Sequence, residues 1–250
     1  MTNRLENKTA IITGGTTGIG LETAKHFINE GARVLITGRS QDKIDTALSE
    51  LGSMASGVVA DSSNLEDLSK LAETAGEIFG TVDVLFANAG NGVFAPISDV
   101  DEDAYAHQFD LNVKGVFFTV QKILPLMKKG SSIILTASAV HGKGAPGGSL
   151  YFVSKAAVRS FARTMATELG GSGIRVNSLS PGIVPTKFFS NSNVGEGAYG
   201  QFEEMAGKGA PLGRAGQPAE IANAAVYLAS NESSYVTAID LSVDGGWAEV

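Results

Sequence analysis

The chain has 250 residues, 43% of them hydrophobic and 18% charged, with a formal net charge of −7; this is enough for one large core, without the clustered Lys and Arg that a nucleic-acid surface needs. The absence of cysteine excludes disulfides, thiolate nucleophiles and Cys-bound zinc or iron–sulfur sites, and His26, His107 and His141 show neither HExxH nor paired spacing, which argues against a His-based metal site. Met1 to Lys8 is polar and no run approaches the ~18 apolar residues of a membrane span, so a cytoplasmic protein is expected.

Lys8 to Thr13 is a short apolar run that breaks at Gly14-Gly15, and a helical pattern through Ile19, Leu21, Ala24, Phe27 and Ile28 follows at once. The glycines Gly14, Gly18 and Gly20 form a G-x-x-x-G-x-G turn between a strand and a helix. Such a turn lets the free N–H groups and dipole of the helix face a pyrophosphate, where side chains would block the approach. Thr13, Thr16 and Thr17 add hydroxyl donors. A glycine-rich helix entry with no ligand is the alternative for this motif taken alone.

Gly31 to Thr37 reads as the second strand, ending at Gly38-Arg39-Ser40. In a dinucleotide site an acid at this position accepts from the ribose 2′-OH, whereas an arginine suits a 2′-phosphate. Here there is no acid until Asp42, so charge complementarity points to NADP, unless Arg39 is a solvated loop charge. Gln41 to Leu51 is a helix and Ala55 to Ala60 a third strand ending at Asp61-Ser62. Ser63-x-x-Glu66 has the pattern of a capping box opening a helix to Phe79. Val82 to Ala87 is a fourth strand, almost wholly apolar, as expected when helices cover both faces. Its end, Asn88-Ala89-Gly90, again puts small residues where a ligand lies against backbone. Alternating strands and helices predict an α/β fold: one Rossmann-like, doubly wound parallel sheet of about seven strands, with helices on both faces, as a single domain over 1–250.

Asp101 to Met127 is a long helical stretch with Asn112 and Gly115 in its middle, where Asn112 marks either a kink or a buried amide. Ser132 to Ala137 is the fifth strand, and Ser138 stands at its carboxyl end, where open α/β sheets carry their sites. A glycine-rich loop from His141 to Gly148 leads to a helix from Ser149 to Gly170. Tyr151 and Lys155 are at i and i+4, one turn apart on one face. A phenol titrates near ~10 in water, and an adjacent cation stabilises its anion; the same spacing also arises by chance. Ile174 to Leu179 is the sixth strand, ending at Pro181-Gly182. Thr186 to Pro211, rich in Gly, Ser, Asn and Phe, reads as a mobile lid over a substrate pocket. Gln217-Pro218 starts a helix with proline in its first turn, running to Ala229, and Thr237 to Val243 is a last strand. Phe152, Phe188, Phe189, Tyr199 and Phe202 are either pocket wall or core, and His141 either contacts substrate or is a plain loop residue.

In order, Thr13-Gly-Gly-Thr-Thr-Gly-Ile-Gly20, Asn88-Ala-Gly90, Asn112, Ser138, Tyr151-x-x-x-Lys155 and Pro181-Gly182 resemble the short-chain dehydrogenase/reductases, and the likeness covers essentially the whole chain. The resemblance implies that Ser138 orients and polarises a substrate carbonyl and that Tyr151 is the general acid/base. Lys155 would lower the tyrosine's pKa and hold the nicotinamide ribose, and Asn112 would hold a water in a proton relay to Lys155. Asp61 and Asn88 would line the adenine and ribose sites, and Ile183 and Thr186 the nicotinamide amide. Ala87 departs from the Asn-Asn-Ala-Gly of many relatives. A homotetramer is implied by resemblance alone. The expected activity is NADPH-dependent interconversion of a ketone or aldehyde and an alcohol. A 3-oxoacyl-acyl-carrier-protein reductase, whose lid needs a basic patch, and a non-catalytic dinucleotide sensor are the alternatives.

Overall fold

The computed structural model describes residues 3–186, 188, 192–193 and 199–250, the Tyr199 side chain excepted. Their seven strands, β1 (Thr9–Ile12), β2 (Arg33–Gly38), β3 (Ala55–Val59), β4 (Val82–Ala87), β5 (Met127–Thr136), β6 (Arg175–Pro181) and β7 (Asp240–Val243), form one sheet in the order β3-β2-β1-β4-β5-β6-β7. Every pairing is parallel. The helices are α1 (Gly18–Asn29), α2 (Gln41–Leu51), α3 (Leu65–Phe79), α4 (Glu102–Phe109), α5 (Val116–Ile123), α6 (Ser149–Leu169), α7 (Tyr199–Gly209) and α8 (Pro218–Ala229).

The alternation of a strand sends neighbours to opposite faces, and the two cores follow from it. Ile12, Ile36 and Phe86 pack with Phe27 of α1, Leu51 of α2 and Ile221 of α8, while Ile11, Leu35 and Leu85 pack with Leu71 of α3, Ile123 of α5 and Val158 of α6. A parallel sheet covered on both faces needs near-continuous apolar strands, as in β4. Strand order reverses beside β1, whose neighbours are β2 and β4, so the carboxyl ends of β1 and β4 open a crevice there.

The capping residue of α3 is Asn64, not Ser63: Asn64 Oδ1 accepts from Glu66 N at 2.8 Å, because the Ser63 hydroxyl is taken by Asp61 Oδ1 at 2.7 Å. The expected long helix is broken. Asp110–Gly115 is a π-helical turn between α4 and α5, and Asn112 is fully buried in it. A 3₁₀ turn at Leu124–Leu126 then ends the run and β5 begins at Met127. β7 starts at Asp240 instead of Thr237 because Ala238 has φ 64°, outside the extended region.

Candidate active site

The turn from β1 into α1 is built from backbone. Gly14 has φ 65°, a conformation side chains disfavour, and a Cβ on Gly20 would lie 2.2 Å from the Gly14 carbonyl oxygen. The turn is pinned from β4: Thr13 Oγ1 accepts from Asn88 N and Ala89 N, both at 3.0 Å, and Asn88 Nδ2 donates to Thr13 O at 3.1 Å. Thr17, at the N-cap of α1, makes no side-chain cap, and the first turn carries no acid. The free N–H groups and positive dipole end of α1 therefore face the cleft that Gly14, Thr16, Thr17, Gly18, Ile19 and Gly20 line. A pyrophosphate fits this cradle.

At the end of β2 the wall continues through Arg39, Ser40 and Lys43. Across from them Asp61 Oδ1 accepts from Ser63 N at 2.9 Å. Burial pushes the Asp61 carboxyl up, but the Ser63 bonds and the charges of Arg39 and His107 outweigh it and hold the group below its ordinary value. Lys43 was not singled out from sequence, although its place in the first turn of the helix leaving this strand end is a usable signal. His107, which also lines the cleft, lies 2.6 Å from Asn91 Nδ2.

Ser138, Tyr151 and Lys155 line the same cleft beyond Asn88, Ala89 and Gly90. Ser138 is held at the end of β5 and is hydrogen-bonded to the Tyr151 phenol. The protein packed around Tyr151 pushes that phenol up to about 12, with the Ser138 bond acting the other way. Burial likewise lowers Lys155 to about 8. Its ammonium donates to Thr136 O at 2.8 Å and lies 5.8 Å from the centre of the Tyr151 ring, so in the protein alone burial is the larger influence on the phenol. A Cβ on Gly90 would be 3.4 Å from Lys155 Nζ, which places Gly90 against the ammonium.

Asn112 does not line the cleft. Its amide is behind the wall, accepting from Asn91 N at 3.1 Å and donating to Asn91 O at 2.9 Å and Ser154 Oγ at 3.2 Å. Pro181, Gly182, Ile183 and Thr186 close the opposite side, with the Thr186 side chain against Gly18. His141 turns back into the sheet, its Nε2 3.0 Å from Asp240 Oδ2, and Asp240 also accepts from Ser180 Oγ at 2.8 Å. The cleft holds about 800 Å³ and extends past Tyr151 to Phe94, Phe152, Phe188 and Phe202. Phe94, Met205 and Trp247 in its wall come from separate loops and helices, and no spacing in the sequence links them. Lys187, Phe189 and the Tyr199 side chain lie outside the described residues.

Sheet, cradle and cleft together are those of a dinucleotide-binding α/β protein. A family model described as enoyl-(acyl carrier protein) reductase matches residues 14–248. The chain is 44% identical to oxidoreductase asL5 of Sarocladium schorii, covering 99% of this chain and 98% of that one. It is 37% identical to the NADP-dependent (R)-specific alcohol dehydrogenase of Lentilactobacillus kefiri, covering 99% of each. A solved structure, that of a doubly substituted mutant of a Serratia marcescens short-chain dehydrogenase/reductase, superposes with a TM-score of 0.90 at 31% identity, over 98% of this chain and 99% of that one. The chain belongs to the short-chain dehydrogenase/reductase family and is an oxidoreductase.

Proposed function

We propose that the protein is an NADP(H)-dependent enzyme interconverting a ketone or aldehyde and an alcohol in the cytoplasm. The observation that carries this reading is one cleft with the α1 cradle, Arg39 and Lys43 at one end and Ser138, Tyr151 and Lys155 at the other. Bound NADPH supplies the hydride. Arg39 and Lys43 take a 2′-phosphate, the N–H groups of α1 the pyrophosphate, and Ile183 and Thr186 the nicotinamide amide. Asp61 and Asn88 line the adenine and ribose sites.

The Ser138 hydroxyl donates to the carbonyl oxygen as negative charge develops there. A phenol held near 12 stays protonated at neutral pH, and an alkoxide is basic enough to take its proton. Tyr151 therefore acts as the general acid in reduction and the base in oxidation. Lys155, still largely an ammonium at neutral pH, stabilises the phenolate as it forms and holds the nicotinamide ribose. Asn112 supports the relay that returns a proton to Lys155. The segment Thr186 to Pro211, part of which lies outside the described residues, is the proposed lid.

A thioester of acyl carrier protein is a poorer substrate on charge grounds. Lys208 is paired with Glu204 and Arg214 with Glu220, so neither offers a free cation to an acidic carrier. Exposed Tyr105, Phe117 and Val153 on α4, α5 and α6 support a tetramer paired through these helices. Following 340 nm absorbance with NADPH or NADH and a panel of ketones, aldehydes and 3-oxoacyl thioesters tests the reading. No ketone or aldehyde turnover, or faster turnover of thioesters, would overturn it.

A further inference from the structure

Beyond Tyr151 the cleft has a half that hydride transfer does not require. Phe94 and Phe188 stand 5.3 and 5.5 Å from the Tyr151 ring, centre to centre, and Met205 and Trp247 face the same space. Hydroxyl-rich substrates would leave their polar groups unpaired against such walls. Among the described residues lining this half, a single side chain carries charge, Lys143, whose ammonium lies 4.6 Å over the Trp247 ring.

Lys143 differs from Lys114, Lys122, Lys128 and Lys129 by its place on the cleft wall. Lys114 and Lys128 sit on Asp110 and Asp83. Lys122 and Lys129 have no carboxylate partner among the described residues but lie outside the cleft, whereas Lys143 lines it, and among the described residues no carboxylate or hydrogen-bond acceptor engages its ammonium. An indole face attracts an ammonium but satisfies none of its three N–H donors. Half-buried and unpaired, that cation is disposed toward an anion entering the cleft. Both partners are held in place. Asp244 Oδ1 and Oδ2 accept from Gly246 N at 2.9 Å and Ala248 N at 2.8 Å, fixing the turn that carries Trp247. The loop of Lys143 is tied to β7 by the His141 and Asp240 pair at 3.0 Å.

We infer, on the basis of the carbonyl-reductase reading, that the substrate is a bulky aryl ketone bearing a carboxylate remote from its carbonyl, and that Lys143 on Trp247 binds the carboxylate. The reaction is NADPH plus a proton plus keto acid giving NADP⁺ and hydroxy acid. Hydride adds to the carbonyl carbon as the C=O π bond breaks, and the alkoxide takes the Tyr151 proton, replaced from solvent.

The test uses para-acetylbenzoate and a longer para-acetylphenylalkanoate, each beside its methyl ester, with wild type, Lys143→Gln and Lys143→Arg. At least one acid is favoured over its ester in kcat/KM by about tenfold or more in wild type, as a charge-assisted bond implies. Lys143→Gln collapses that ratio through KM for the acid, and Lys143→Arg restores it. Trp247 is the chain's one tryptophan, so its emission reports binding directly and is perturbed by the acid in wild type but not in Lys143→Gln. Equal acid and ester values in wild type, an unchanged ratio in Lys143→Gln, or a Lys143→Gln defect confined to KM for NADPH would each overturn the inference. Acid binding that depends on Lys143 with no turnover of any ketone keeps the anion site and overturns the reductase reading instead.

Discussion

Tyr151 and Lys155 are four residues apart, yet burial moves their proton equilibria in opposite directions, to about 12 and about 8. Tyr151→Phe keeps the ring and its contacts with Phe94 and Phe188 while removing the transferable proton. Turnover should fall by about 10²-fold or more with the Kd for NADPH unchanged in a fluorescence titration; near-normal turnover would end the acid/base assignment. Lys155 makes a separate prediction about stability. Its pKa is 10.5 in the unfolded chain and about 8 in the fold, so between those values the unfolded state holds a proton that the folded state lacks. Stability contributed at this site therefore rises with pH across that window. Urea unfolding of wild type against Lys155→Met, at pH about 7 and about 10, should show the difference shifting in favour of wild type by up to about 3 kcal/mol. A difference that is flat with pH would contradict the buried, depressed ammonium.

At the scale of elements, the π-turn between α4 and α5 is where the helix serves the site. Asn112 accepts from Asn91 N and donates to Asn91 O, and Gln108 Oε1 accepts from Val93 N at 2.6 Å, so two amides on this helix hold the strand exit that leads to Phe94. Asn112→Ala strands both groups of Asn91 and should cost about 2–3 kcal/mol in urea unfolding, together with a fall in kcat/KM for ketones. Asn112→Asp, isosteric but without the donors, should not rescue it; a fully active Asn112→Ala would mean that the clamp is idle. The sequence shows why such a feature escapes pattern reading. An asparagine in an apolar helix signals a disturbance, but the residue inserted by a π-turn leaves the apolar rhythm of Val113, Val116 and Val120 almost as an α-helix would have it. The start of β5 was hidden for the opposite reason: Lys128 to Ser131 is polar, and the register with β4 jumps across it from Val82 with Met127 to Val84 with Ser132, so no alternating side-chain signature marks it. By contrast β4 and α2 fall where their apolar patterns place them, because both are bounded by glycine or polar punctuation and buried on the faces their periods predict.

For the molecule as a whole, the residues legible in sequence are those whose chemistry dictates their type. Glycines are needed where backbone meets backbone, and the proposed proton transfer asks for a hydroxyl, a phenol and an ammonium; all of them lie on the cleft wall except Asn112 and Thr13, whose hydroxyl is turned to the backbone of Asn88 and Ala89 instead of to a ligand. Phe94, Lys143 and Trp247 were not legible, since only the folding of distant segments around the ends of β1 and β4 brings them to one space, whereas Lys43, four residues past Arg39, did have a local signal. That same placement couples the cofactor to global stability. The cradle joins β1 to α1 and is pinned by Asn88 of the β4 exit, so a ligand there is felt by both halves of the sheet. In a chain of net charge −7, Arg39 and Lys43 form a local positive site that, on the proposed NADP reading, would pair with a 2′-phosphate and not with a 2′-hydroxyl. NADP⁺ at about 100 times its Kd should therefore add about 2.7 kcal/mol, which for a chain of this size raises the Tm by roughly 5–10 °C. NAD⁺ at the same concentration should give a smaller shift, and Arg39→Ala should bring the two dinucleotides together by lowering the NADP⁺ shift alone. An NAD⁺ shift equal to or larger than that of NADP⁺ in wild type would assign the cleft to NAD and leave Arg39 as a solvated charge at the end of β2.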